Sequence, residues 1–474
     1  MKLPRILIAG TSSGVGKTTV TLALLAAFRS QGHQVQPFKA GPDFIDPGHH
    51  QMASGRESRN LDGWMLGADL NRTTFQRAAQ DADLSIIEGM MGLFDGSSPI
   101  NEIGSSAELA KQLNAPVLLV VDGSAMARSA AAMVFGYTNF DPDVKIAGVV
   151  FNRIKRERHY HILKEAVEKE TNISVVGYIQ PNTELTIPDR HLGLRTALEG
   201  KDPTFYSRLG QAVTSTLDVE AIALLAEAAL DWEDAVVSTR RPAVEVIEEP
   251  VRVAVAHDPA FCFYYPDNLA LLEQAGGSLC RFSPMNDVSI PDADVLYLGG
   301  GYPEIYAKAL AKNSSMRQSI KTFAQNGGVI YAECGGLLYL TNALKDFDGT
   351  QYDMVGIIPA EAVMSRAHMT LGYRALTLTQ SSAVGEPGMC VRGHEFHYST
   401  IQPQGSLDYV GQLTDAQGRD RGPDGIVVGN VTAFYTHLHF STLSQIPAAL
   451  LQAARSHDSP SFLEESSSSD EHDS

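Results

Sequence analysis

The chain has 474 residues, 44% of them hydrophobic and 19% charged, with a formal net charge of −18. That length asks for two or three domains rather than one core, and an acidic balance without a clustered excess of Lys and Arg argues against a nucleic-acid surface. Cys262, Cys280, Cys334 and Cys390 show neither a C-x-x-C pair nor zinc spacing, and no run reaches the roughly 18 to 20 apolar residues of a membrane span. A cytoplasmic protein without disulfides, structural zinc or a membrane partner is expected.

In chain order, "MKLPRILIAG" is neither a signal peptide nor a span; it runs into a glycine loop. Short apolar runs then alternate with helical stretches: "RILIAG", "QVQPFK", "LSIIEG", "PVLLVVD", "KIAGVVFN" and "VVGYI". Continuous apolar strands separated by helices predict a mostly parallel sheet covered on both faces, so residues 1–232 read as one α/β domain. Residues 233–250, charged and without a period, read as a linker. The alternation restarts with "VRVAVAHD", "DVLYLGGG" and "GGVIYAEC" and becomes strand-rich toward "NVTAFYTHLHF", giving a second α/β domain over 251–450. The remainder, 451–474, ends in "SFLEESSSSDEHDS" and is expected to be an acidic disordered tail.

Between the first strand and the helix "VTLALLAAFRSQG" stands "GTSSGVGKTT". The phosphate-loop pattern G-x-x-x-x-G-K-[ST] is met at Gly16, Lys17 and Thr18, although Thr11 stands where its first glycine belongs. Thr11, Ser12, Ser13, Gly14, Val15, Gly16, Lys17, Thr18 and Thr19 are the candidate ATP-binding residues. Backbone N–H groups of such a loop cradle phosphates, Lys17 neutralises charge, and the Thr18 hydroxyl can bind Mg²⁺. The plainer reading is a glycine-rich turn. Glu88, at the end of "LSIIEG", is placed at the carboxyl edge of the sheet where it could reach the Mg²⁺, or be a solvated strand-end acid. "FKAGPDFIDPGHH" crowds Lys39, Asp43 and Asp46 among Gly and Pro, which either positions a metal or substrate or forms a rigid turn.

"GGVIYAECGGLLYL" has the shape of a nucleophile elbow, with Cys334 between a strand and a helix. An inert buried cysteine is the alternative. A helix N-terminus would lower the thiol pKa, and "YTHLHF" supplies His437 and His439 as candidate bases. Gly300 and Gly301, in "YLGGGYPE", and Gly335 are candidate oxyanion donors.

The order glycine loop, Cys, His resembles class I glutamine amidotransferases, whose usual ending is His-x-Glu. Here the third position is His439, so the acid that orients the base is missing or comes from elsewhere. His437 is preferred as base because it holds the motif position two residues after Tyr435. Taken together, "GTSSGVGKTT", "FKAGPDFIDP", "EGMMGLFDG", "AECGGLLYL" and "YTHLHF" resemble the cobyrinic acid a,c-diamide synthases of cobalamin synthesis, over about residues 1–450. The resemblance implies a dethiobiotin synthetase-like P-loop domain followed by an amidotransferase-like domain. It also implies ATP and Mg²⁺ as cofactors, and glutamine and a corrinoid as substrates, and it allows a homodimer. Cys334 would release ammonia from glutamine, and ATP would activate the a and c acetates of cobyrinate as acyl phosphates. Thr18, Glu88 and Asp43 would serve the metal, while Lys39, Asp43, Phe44, Ile45 and Asp95 would meet the substrate.

Relatives that amidate hydrogenobyrinate or nickel sirohydrochlorin share these motifs, and cobyric acid synthase differs where this chain has "KAGPDFIDP". A partner-switching ATPase would carry an extra lysine where this chain has Ser12. A binding module with a dead amidotransferase domain would tend to have lost the nucleophile.

Overall fold

The computed structural model describes residues 2–182, 187, 189–190, 193–200, 202, 204–232, 246–247, 249–367 and 369–458. Most of the expected linker, 233–250, and the last sixteen residues of the expected tail therefore lie outside the described residues.

The first half is built on seven parallel strands: β1 (Arg5–Gly10), β2 (Val35–Ala40), β3 (Arg59–Leu61), β4 (Leu84–Glu88), β5 (Val117–Asp122), β6 (Ile146–Asn152) and β7 (Ser174–Tyr178). Their order is β3-β2-β4-β1-β5-β6-β7. β1, β2 and β4 are buried at every position, which is why their sequences are mostly apolar without a strict alternation; the buried polar exceptions include Lys39 and Glu88 near the strand ends. The short edge strand β3 escapes a reading by hydrophobic runs because three residues carry no period. Register places Glu88 opposite both Ile8 and Lys39, so the ends of β1, β2 and β4 meet at one corner.

The second half carries a ten-stranded mixed sheet. Its parallel part runs Gly277–Phe282, Val251–Ala256, Val295–Leu298, Val329–Glu333, Val431–Phe434; an antiparallel extension follows, ending in Cys390–His397 and the two-residue strand His437–Leu438. Glu333 pairs with Phe434, and the Cys334 N–H donates to the Phe434 carbonyl at 2.7 Å, so two segments a hundred residues apart deliver Cys334 and His437 to the same edge. A separate four-stranded sheet begins at Thr341–Lys345, directly after the elbow helix. The last helix, Ile446–Asp458, buries Leu450, Leu451 and Ala454 against the second core, so ordered chain runs past the expected boundary at 450.

The two halves are in contact. Buried Asp267 accepts from Arg59 at 3.3 Å and from Arg77, Trp64 stacks on Tyr373 at 4.9 Å, and the Tyr373 hydroxyl donates to Asp62 at 2.7 Å. Separating the halves would leave the buried Asp267 carboxylate without its partners, which resists sliding of one half on the other. Among the described residues no helix is long and apolar enough to cross a membrane.

Candidate active sites

At the phosphate loop, Gly16 has φ 104°, a left-handed conformation that glycine adopts without penalty. A Cβ there would stand 2.0 Å from Asn152 Nδ2, which itself donates to the Val15 carbonyl at 2.8 Å. The helix Lys17–Ser30 starts at once after it, its first N–H groups pointing into the loop. Lys17 is buried and rests its ammonium on the carbonyls of Ser12 and Met91. Burial and the neighbouring Lys39 lower its pKa.

Glu88 is fully buried, not a solvated strand end. It accepts from Thr18 Oγ1 at 2.6 Å, His50 Nε2 at 2.7 Å and Lys39 Nζ at 3.0 Å. Burial alone would raise its carboxyl; the Lys39 ammonium, with His50 and Thr18, outweighs that and holds Glu88 well below the usual carboxylate range. Lys39 is held protonated in turn: burial opposes its charge, but Asp46, Glu88 and Asp43 raise it. Neighbouring ligands of an octahedral Mg²⁺ with bonds of about 2.1 Å lie about 3 Å apart. The Thr18 and Glu88 oxygens, 2.6 Å apart, are close to that spacing and fit the ion. No group of three His, Cys, Asp or Glu suited to a metal occurs among the described residues. Mg²⁺ needs none, because it takes one or two carboxylates and completes its shell with phosphate and water.

The two oxygens of Asp43 are used differently. Its Oδ1 accepts from the N–H groups of Ile45 (2.8 Å) and Asp46 (3.1 Å), capping the helix Ile45–Ser54, while Oδ2 lies 3.7 Å from Lys39. Asp95 is exposed and caps its own turn by accepting from Gly92 N–H at 2.9 Å. Asn152 and Arg153 were not singled out from sequence. Arg153 donates to the Gly14 carbonyl at 2.7 Å, so the end of β6 shapes the loop from its far side. The signal in the sequence is their place at the end of an apolar strand.

The elbow is strained: Cys334 has φ 45° and ψ −99°, a conformation that costs a non-glycine residue about 1 to 3 kcal/mol. The helix after it, Gly335–Leu340, has six residues and supplies little dipole. The group that supports the thiol is His437, which the Cys334 side chain hydrogen-bonds. Burial would lower the His437 pKa, but Cys334 and Glu333 raise it to about 10. His437 lies so close to Gly300 that a Cβ there would stand 2.3 Å from its Cε1, which explains the glycine. Gly301 N and Gly335 approach one another beside the elbow, with the nitrogen 3.0 Å from where a Gly335 Cβ would be. His439 faces elsewhere: it packs on Tyr265 at 4.6 Å, and burial lowers its pKa to about 4. His394, paired across the sheet with His437, is likewise held neutral, at about 3, by burial and by His437.

One cavity of about 1180 Å³ reaches from Lys17, Thr18 and Glu88 past Asp43, Phe44 and Ile45 to Phe263, His394 and His437. Phe44 is half-buried where the halves meet, stacked on Phe263 (5.4 Å, 14°) and against Tyr265 (4.6 Å) and His437 (4.7 Å). One face of this candidate substrate residue is therefore committed to the second half, a placement that the flanking acids did not suggest.

Residues 6–194 match the family described as CobQ/CobB/MinD/ParA nucleotide binding domain, and residues 252–444 match the CobB/CobQ-like glutamine amidotransferase domain. Over its length the chain is similar to cobyrinate a,c-diamide synthases. It is 44% identical to that of Priestia megaterium (93% of this chain, 95% of the relative), 41% to that of Salmonella typhimurium (95% and 98%), and 38% to that of Picrophilus torridus (96% and 99%). The first matched segment contains Lys17 and Glu88, and the second contains Cys334 and His437.

Proposed function

Because the chain belongs to the cobyrinate a,c-diamide synthase family, which are glutamine-hydrolysing ligases, we propose that it amidates the a and c acetate side chains of cobyrinate in cobalamin biosynthesis. The observation that carries this reading is the single cavity holding Lys17 and Glu88 at one end and His437 at the other.

In this mechanism the Cys334 thiolate attacks the side-chain amide carbon of glutamine. His437 gives its proton to the departing nitrogen, so ammonia leaves and a thioester remains; water then releases glutamate. Backbone N–H groups at Gly301 and Gly335, which lie close together beside the elbow, would support the oxyanion. At the other end an acetate oxygen attacks the γ-phosphorus of ATP, ADP departs, and ammonia displaces phosphate from the acyl phosphate. Lys17 and the loop N–H groups meet the charge on the transferring phosphoryl group. Thr18 and Glu88 would hold Mg²⁺, which supplies charge neutralisation at the phosphates. Asp43, Asp46 and Lys39 border the acetates, and Ile45 offers an apolar contact to the macrocycle.

Residues of both halves line one cavity and Phe44 forms part of its wall, so ammonia released at Cys334 would pass Phe44 on its way to the acyl phosphate. Phe44→Ala is expected to uncouple the halves: glutamate formed per amide rises several-fold, while amidation with added ammonium persists. A raised KM for the corrinoid at unchanged coupling would instead make Phe44 a substrate contact.

The macrocycle is tested by competition. Apolar contacts discriminate small differences by about 1 to 3 kcal/mol, so cobyrinate is expected to be preferred, with measurable turnover of hydrogenobyrinate and weaker reaction of nickel sirohydrochlorin. A kcat/KM for nickel sirohydrochlorin well above that for cobyrinate would move the enzyme to another tetrapyrrole.

A further inference from the structure

His437 lacks the acid that the His-x-Glu ending would supply, because His439 stands there and packs on Tyr265. Its Nδ1 is buried and has no hydrogen-bond partner, an expensive state for a ring that must carry a proton. We infer that Glu333, the residue immediately before the nucleophile, is the carboxylate that orients His437 and balances its charge.

Three observations carry this. Glu333 Oε2 lies 3.8 Å from His437 Nδ1, with both side chains almost fully buried. The carboxylate is held by three donors: the hydroxyl of Tyr331, the hydroxyl of Tyr297 at 3.2 Å on Oε2, and the Leu438 N–H at 3.1 Å on Oε1. Leu438 follows His437 in the chain, so the same carboxylate fixes the backbone that carries the base. In a regular strand, neighbouring side chains point to opposite faces. Cys334 leaves strand geometry at φ 45°, which lets both it and Glu333 reach one imidazole. At 3.8 Å the contact is an ion pair rather than a hydrogen bond, and a small rotation of the ring would close it.

The other charged or titratable groups around His437 are already engaged. Glu395 is paired with Arg374, His394 and His397 are held neutral by burial, and Asp43 and Asp46 on the Phe44 segment face Lys39. Glu333 is left as the carboxylate directed at Nδ1. As a positioning residue it acts through His437 and touches no substrate.

The inference rests on the glutaminase reading, and its test separates the two. In Glu333→Gln, which keeps the shape and one accepting oxygen but loses the charge, glutaminase kcat is expected to fall roughly 10- to 100-fold while ammonium-supported amidation is unchanged. The pH dependence of Cys334 alkylation by iodoacetamide supplies the readout that a structural role would not move. Removing the carboxylate destabilises the imidazolium, so the inflection that marks loss of its proton should move down from about 10 by about one unit or more. Glu333→Asp, which keeps the charge, should retain that inflection, and it serves as the reporter where the glutamine variant does not fold. Full glutaminase activity in Glu333→Gln, a fall with no shift of the alkylation profile, or loss of the inflection in Glu333→Asp would each overturn the assignment. Loss of glutaminase together with failure of the wild type to alkylate at Cys334 would instead count against the nucleophile itself.

Discussion

Cys334→Ser is expected to lose glutamine-dependent amidation by roughly 10³-fold or more and to keep amidation with added ammonium. The asymmetry follows from geometry: His437, which the Cys334 side chain hydrogen-bonds, lines the shared cavity at the end away from Lys17 and Glu88, and nothing at those two residues depends on the thiol. Steady-state assays with the two nitrogen donors decide it, and equal loss with both would make Cys334 structural. The same substitution has a signature in stability. The His437 pKa is raised from the ordinary 6.5 to about 10, so its ionised contacts stabilise the fold fully below about 6.5 and are lost as pH rises through about 10. Serine removes the sulfur that does most to raise that value, so the loss should occur at lower pH in thermal melts. An unchanged stability profile between pH 6 and 10 would show that the thiol does not charge the ring.

Lys17→Ala is expected to lose amidation with either donor by roughly 10³-fold while the protein stays folded and glutaminase persists. Lys17 is the first residue of its helix, and its ammonium is satisfied by the carbonyls of Ser12 and Met91 rather than by a carboxylate. Burial and the like charge of Lys39 already disfavour it there. Removing it therefore relieves repulsion, and Tm should hold or rise slightly. A Tm fall of many degrees, or activity retained with ammonium, would contradict a role at the phosphates. The pair of variants separates the two ends of the cavity: one loses only the nitrogen source, the other loses carboxylate activation.

Alternation of apolar strands with helices was enough to expect two α/β units, because a parallel sheet buried on both faces favours apolar residues and tolerates polar ones only where partners satisfy them, as at Lys39 and Glu88. The phosphate loop was legible as well, since a strand, a glycine with positive φ and a Lys-Thr helix start are local requirements of backbone geometry. The same holds for the elbow at Cys334, although its short helix gives less dipole than the pattern suggested. Asp43 and Asp95 show where such reading stops. Both were expected to meet metal or substrate, and the structure commits one oxygen of each, Asp43 Oδ1 and Asp95 Oδ2, to backbone N–H groups, which no local pattern announced.

What only the tertiary structure decided are the distances between segments remote in sequence. Pairing of Val329–Glu333 with Val431–Phe434 brings Glu333 to His437, and docking of the halves brings Phe44 onto His437. Sheet order sets the first and the fit of two folded surfaces sets the second. Neither is written in a local period: strand alternation would send Glu333 away from its neighbour's chemistry, and Phe44 between two acids reads as a contact for a ligand. The residue types were determined by local chemistry along the chain, and their partners by which strands lie side by side.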